Sequence, residues 1–146
     1  MKKLLILLVL VSTSIVVNAQ RFKPFTESYA YMQLLDEELE MVEQHKYLTN
    51  ITFNYGHDSY IRIKSFRGNG EDDKEYLLYL TGGWEKKNTD SGIPYKEVIV
   101  MDVEDQQEYL FIAVADFTHI MIIPLDKELS YSMSFTRKAL KAKTVY

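Results

Sequence analysis

Leu48-Thr49-Asn50-Ile51-Thr52-Phe53-Asn54-Tyr55 and, beyond Gly56-His57-Asp58, Tyr60-Ile61-Arg62-Ile63-Lys64-Ser65-Phe66 decide the fold class. Successive side chains of a strand point to opposite faces, so the alternation of Ile51, Phe53 and Tyr55 with Asn50, Thr52 and Asn54 predicts one face on a core and one in water. Ile61 and Ile63 alternate with Arg62 and Lys64 in the same way. Glycine accepts positive φ and aspartate can bond its own backbone, which makes Gly56-His57-Asp58 turn chemistry joining the two runs into a hairpin.

Similar runs follow toward the C-terminus. Glu75 to Thr81 is nearly continuous in apolar residues from Tyr76 to Leu80, the pattern of a strand covered on both faces. Gly82-Gly83 then relaxes the backbone before Trp84. Tyr95 to Val103 sets Val98 and Val100 on one side and Ile99, Met101 and Val103 on the other, with Ile99 expected, like Phe53, in the core. Tyr109 to Val114, His119 to Ile123 and Leu129 to Phe135 complete the series. In the last, Ser130, Ser132 and Ser134 form a face expected to be wet. Arg67 to Lys74 and Lys86 to Pro94 read as polar loops.

Strand signals spaced roughly every ten to fifteen residues predict a mainly β, antiparallel meander of about seven to eight strands, forming a curled sheet, a half-barrel or a small barrel. Residues 27–44 admit two readings. Tyr29, Tyr31 and the Leu pair favour a first strand from about Ser28 to Leu34. Met32, Leu35, Leu39 and Val42 also share one helical face, which leaves a short N-terminal helix as the alternative.

The chain begins with the features of a secretory leader: Met1-Lys2-Lys3 supplies charge, Leu4 to Val17 an apolar stretch, and Val17-Asn18-Ala19 a small-residue cleavage triplet. A membrane-spanning helix needs roughly twenty apolar residues, and Ser12, Thr13 and Ser14 interrupt this shorter run. The expected organisation is a signal peptide at 1–19 and a single β-rich domain at 20–146 with a short basic C-terminal tail. No membrane span is expected after cleavage. Such a protein is exported, periplasmic or secreted. It has no cysteine, hence no disulfide and no lipid-modified cysteine, and this favours a bacterial envelope setting over a disulfide-stapled secreted domain. In that setting the glycosylation pattern Asn50-Ile51-Thr52 carries no meaning.

The formal net charge is −4, and loss of Lys2 and Lys3 with the leader takes it to about −6. A surface of that sign repels phosphate backbones, and nucleic acid is not an expected partner. Arg137, Lys138, Lys141 and Lys143 cluster at the C-terminus, where a solvated tail is the expected reading.

No motif commits the chain to a chemistry. His45, His57 and His119 are scattered rather than placed at metal-ligand spacing. Asn69, Glu71, Asp72 and Asp73 lack the order of a calcium loop. Asp90-Ser91-Gly92 lacks the preceding glycine of a nucleophile elbow. Gly68-Asn69-Gly70 and Gly82-Gly83 are not followed by the Lys-Ser/Thr pair of a phosphate loop. No catalytic, cofactor-binding or metal residue is assigned, and no cofactor is expected. Aromatics are abundant, with 11 Tyr, 7 Phe and 1 Trp; most are expected in cross-strand core pairs, and Trp84 is the first candidate for a binding role.

The order of features resembles a group of small exported bacterial single-domain proteins of unknown function. The resemblance rests on the early aromatic strand, Asn50-Ile51-Thr52-Phe53-Asn54-Tyr55 with its return Tyr60-Ile61-Arg62-Ile63-Lys64, and Val100-Met101-Asp102-Val103-Glu104-Asp105 leading into Tyr109-Leu110-Phe111-Ile112. It covers most of residues 20–146 and implies no activity. The meander is also distantly similar to lipocalin-like proteins, although Gly83-Trp84 lies mid-chain and not beside the first strand. The expected function is a non-catalytic binding or interaction domain, with an envelope protein or a small apolar ligand as partner. Two alternatives stand beside it: a small hydrolase of cell-wall or other polysaccharide, and an assembly subunit that adds an edge strand to a neighbour.

Overall fold

Ile61, Ile63 and Ser65 point to the core from β3 (Tyr60–Phe66), and Thr49, Ile51 and Phe53 meet them from β2 (Met41–Phe53), as the alternation requires. The structure, a computed structural model, describes residues 23–56, 59–68, 73–126, 128 and 131–141. Within these, the chain also forms β1 (Phe25–Leu35), β4 (Lys74–Leu80), β5 (Glu85–Asn88), β6 (Pro94–Asp102), β7 (Glu108–Val114), β8 (His119–Pro124) and β9 (Ser132–Thr136). The expected leader, His57, Asp58, the loop residues Asn69 to Asp72, Leu129, Ser130 and Lys143 lie outside the described residues.

All strand pairs are antiparallel, in the order β1-β2-β3-β4-β6-β7-β8-β9 and back to β1. The closing pair is β4 with β6, through Leu78↔Asp102, Tyr79↔Met101 and Leu80↔Val100. The result is a closed eight-strand barrel, with β5 as a ninth strand. Thr81 to Trp84 breaks the run after β4, and β5 then continues along the same edge of β6 from Glu85↔Glu97 to Asn88↔Pro94. Eight strands enclose an interior just wide enough to be filled by side chains or to hold one small ligand.

The N-terminal alternatives resolve to strands, and the described residues contain no helix. Asp36 stops β1 with side-chain chemistry: its carboxylate accepts the N–H groups of Glu38 and Glu40 at 3.0 and 2.9 Å, and Leu39 adopts φ 61°. That turn sends β2 back at Met41, so Met32, Leu35, Leu39 and Val42 never share a helical face. Along β1 the register with β2 shifts between Tyr29 and Tyr31, and both Tyr29 and Met32 enter the core. An irregularity of this kind re-aims side chains and strengthens the local twist of a barrel.

Several expectations need correction. Ile99 is 41 % exposed, whereas Val98 and Val100 are buried; both faces of β6 are apolar, so alternation could not choose between them. Tyr55 lies past the end of β2 on the surface, with the Arg62 guanidinium 5.0 Å from its ring. Tyr79 is exposed, so the outer face of β4 is less covered than its continuous apolar run implies. Ser132 and Ser134 are buried, not wet: Ser134 meets His119 Nε2 at 2.6 Å on the outside of the barrel wall. Lys86 to Pro94 is not all loop, because Glu85–Asn88 pairs with β6.

The C-terminal segment also docks in part. Leu140 N–H donates to Gln44 Oε1 at 2.8 Å, and Gln44 Oε1 in turn accepts from Gln33 Nε2. Arg137 pairs with Glu27. The outer wall carries polar cross-strand pairs, among them Thr26 with Thr52, Ser28 with Asn50, and Arg62 with Glu75. Across β6, β7 and β8 the outward face is instead apolar, with Ile99 opposite Leu110, Leu110 opposite Ile123, and Ile112 opposite Met121.

Candidate functional site

The two ends of the barrel are built differently. One end is plugged by rings: Phe53 stacks on Phe25 with centroids 4.8 Å apart, meets Phe117 at 4.8 Å and Phe111 at 5.9 Å, and lies 6.5 Å from Trp84. Tyr29 donates its hydroxyl to the Phe117 carbonyl at 2.7 Å. Burial pushes the Tyr29 phenol far above its usual range, so it remains a donor. Lys96 caps the rings, its Nζ 4.2 Å from the Phe117 centroid and 5.1 Å from that of Trp84. Burial, with Lys86 nearby, holds that ammonium below the usual lysine range, and contact with ring faces offsets part of its desolvation. A hollow of about 170 Å³ remains among the rings, and a groove of about 430 Å³ borders Lys96 and Phe117 on the side of β5.

The loop carrying Phe117 is unusual in its backbone. Ala115, Asp116 and Phe117 have φ of 45°, 52° and 63° in succession, a left-handed conformation that costs roughly 1–2 kcal/mol per non-glycine residue. Thr118 N–H bonds back to the Val114 carbonyl at 3.1 Å, and the half-buried Phe117 ring and the Tyr29 hydroxyl hold the loop in place.

The opposite end holds a cavity of about 720 Å³. Every barrel strand except β6 lines it or flanks it. Met32 and Leu34 come from β1, His45, Lys46 and Tyr47 from β2, Ser65 from β3 with Arg67 just beyond it, Lys74 and Tyr76 from β4, Tyr109 from β7, Pro124 from β8, and Met133 and Phe135 from β9. In-facing positions of β2 run Phe53, Ile51, Thr49, Tyr47 and His45, so the core face of the hairpin simply continues past the packed core and turns polar. At the junction the Thr49 and Ser65 hydroxyls bond each other at 2.9 Å, which satisfies both inside the barrel.

Burial raises the phenols of Tyr76 and Tyr109 above the usual range; Arg67 opposes this at Tyr76, and Asp102 and Asp105 add to it at both. Both therefore present O–H groups at neutral pH. Tyr109 donates to Gln107 Oε1 at 3.4 Å. Around the rim, His45 Nε2 meets Glu43 at 3.0 Å and stacks on Tyr47, whose other neighbour is the Arg67 guanidinium, 6.0 Å from the ring centroid.

The residues singled out in the sequence are not gathered here. Trp84 belongs to the aromatic plug. His45 stands on the cavity rim and His119 on the outer wall. Asp73 is exposed, and the Asp90-Ser91-Gly92 segment is a turn in which Thr89 Oγ1 accepts the Ile93 N–H at 3.0 Å and Gly92 has φ 82°. Among the described residues no three His, Asp or Glu side chains converge as a metal-ligand set. The lining of Tyr47, Arg67, Lys74, Tyr76 and Tyr109 carries no local motif. Its one legible signal is the Tyr47-Thr49-Ile51-Phe53 alternation, which extends the strand toward the N-terminus.

No protein-family model matches this chain, and no curated protein and no solved structure matches it either.

Proposed function

We propose that this chain is an exported, non-catalytic binding protein that takes a small, largely apolar ligand into the open end of its barrel. The observation that carries the reading is the cavity of about 720 Å³ at one end of a barrel whose other end is filled with rings. Ligand pockets are concave, of about 300–1,000 Å³, and combine apolar walls with a few placed polar groups. Met32, Leu34, Met133 and Phe135 supply the walls, and Tyr47, Tyr76 and Tyr109 supply rings with polar tips. Export rests on the leader-like residues Met1 to Ala19, and the likeness to small exported bacterial proteins belongs to the same proposal.

The alternatives draw less support. A polysaccharide hydrolase uses two carboxylates facing across a cleft, and no carboxylate is among the described residues that line this cavity. Assembly by strand addition uses an open edge. Here β4 and β6 close the sheet, and β5, whose outer side is unpaired among the described strands, is only four residues long and carries Lys86 and Lys87. The test is titration with N-phenylnaphthylamine, an uncharged fluorophore that brightens in apolar surroundings. Saturable one-to-one binding, lost in Leu34→Trp, is expected; absence of saturable binding in the parent contradicts the reading.

A further inference from the structure

We infer that the ligand carries an uncharged head group whose oxygen accepts hydrogen bonds, a ketone, ester or ether, held by the Tyr76 and Tyr109 hydroxyls, with its apolar body against Met32 and Phe135. This inference rests on the ligand-binding reading above. Tyr76 comes from β4 and Tyr109 from β7, the two neighbours of β6, and both line the cavity while packing against the core. The Tyr76 hydroxyl donates to no side chain or carbonyl among the described residues. Tyr109 reaches Gln107 Oε1 only at 3.4 Å. A phenol O–H is a donor that gains from an acceptor once water is displaced. A few such groups set among apolar walls fix how a ligand sits.

The charges near the two phenols oppose one another and select neither ion. Arg67 acts on Tyr76 with one sign, Asp102 and Asp105 with the other, and the same two acids act on Tyr109. The Arg67 guanidinium is engaged by the Tyr47 ring. Lys46 lies on the outward face of β2 between the inward His45 and Tyr47, so Lys74 is the one further inward cation among the described lining residues. The buried Asp102 turns its carboxylate onto its own turn, accepting the N–H groups of Glu104 and Asp105 at 2.8 and 3.4 Å. An anionic head meets the field of Asp102 and Asp105, and a cationic head that of Arg67 and Lys74; a neutral dipole avoids both. Deeper in, Met32 and Phe135 are 8 % and 2 % exposed and offer only apolar surface, which suits a hydrocarbon or aromatic body.

The experiment displaces bound N-phenylnaphthylamine from the purified chain with four compounds of matched size: 2-acetylnaphthalene, 2-ethylnaphthalene, 2-naphthoate and 2-naphthyltrimethylammonium. Transfer from water alone favours the ethyl compound, which has no polar group to desolvate. The ketone is nevertheless expected to displace the fluorophore at about one fifth the concentration of the ethyl compound, roughly the effect of one ordinary hydrogen bond, and ahead of both ions. In Tyr76→Phe/Tyr109→Phe, which keeps both rings, that advantage disappears while 2-ethylnaphthalene is unaffected; if the double variant does not melt cooperatively, the two single variants carry the comparison. The ethyl compound displacing as well as the ketone, variants that keep the ketone's advantage, or either ion displacing best overturns the neutral acceptor and leaves cavity binding standing. Failure of the fluorophore and all four compounds to bind overturns both.

Discussion

The Tyr29 hydroxyl donates to the Phe117 carbonyl at 2.7 Å, joining the first strand to the left-handed loop between β7 and β8 and closing one end of the barrel. The ring that Phe117 inserts beneath Lys96 is thereby fixed from both its backbone and its face. The cavity at the other end has no equivalent latch among the described residues, so the molecule has one built end and one receiving end.

Tyr29→Phe removes the donor and leaves a carbonyl without its partner, at a cost of about 1–3 kcal/mol. Urea unfolding should show that loss. Because burial raises the Tyr29 phenol above its ordinary range, its stabilisation is complete below about pH 10 and declines as the pH rises beyond it. Tyr29→Phe should lessen that alkaline decline, and an unchanged midpoint and pH profile would contradict the latch.

Phe53→Ala and Ile99→Ala separate the two faces of the sheet. Phe53 is buried among four rings, and its truncation should cost about 3–5 kcal/mol. Ile99 faces outward at 41 % exposure, and its truncation should cost well under about 1 kcal/mol. Equal losses in thermal melts would mean that β6 presents its other face to the core.

These two residues also mark what the sequence makes legible. Where one face is polar, as in Ile61-Arg62-Ile63-Lys64, the inward side chains can be read directly, and β3, β7 and β8 form where the periodicity places them. Where both faces are apolar, as in Val98-Ile99-Val100-Met101, the strand is legible and its orientation is not. The first half of β2 is hidden for the opposite reason. Its inward residues His45 and Tyr47 line an open cavity with polar as well as apolar walls, so the apolar alternation that announces a strand fades at the candidate site. β5 has no apolar residue in Glu85–Asn88 and forms because β6 offers an edge and Lys87 pairs with Glu85 and Glu97.

His119 gives the stability a dependence on acid. Burial holds its imidazole below the usual histidine range, so the unfolded chain takes up the proton first as the pH falls. Stability from this residue is complete above about pH 6.5 and is lost progressively below it. His119→Gln should stay near the parent at neutral pH and flatten the fall in Tm between about pH 7 and pH 5. Identical slopes for parent and variant would show that the ring titrates as it does in the unfolded chain.

Lys96→Met keeps the aliphatic stem over Phe117 and Trp84 but removes the ammonium, with its repulsion from Lys86 and its attraction to Asp116. A change within about 1 kcal/mol in either direction is expected, since a cation over ring faces gains about as much as its partial burial costs. A loss several times larger would assign the charge a partner beyond these rings and Asp116.

The most direct test follows backbone amide resonances while N-phenylnaphthylamine is titrated into the isotope-labelled chain. Binding in the open end predicts saturable shifts at Met32, Leu34, Tyr47, Tyr76, Tyr109 and Met133, with Phe53, Trp84 and Phe117 nearly still. Shifts centred on the Trp84 end, or none that saturate, would contradict a ligand site in the barrel mouth.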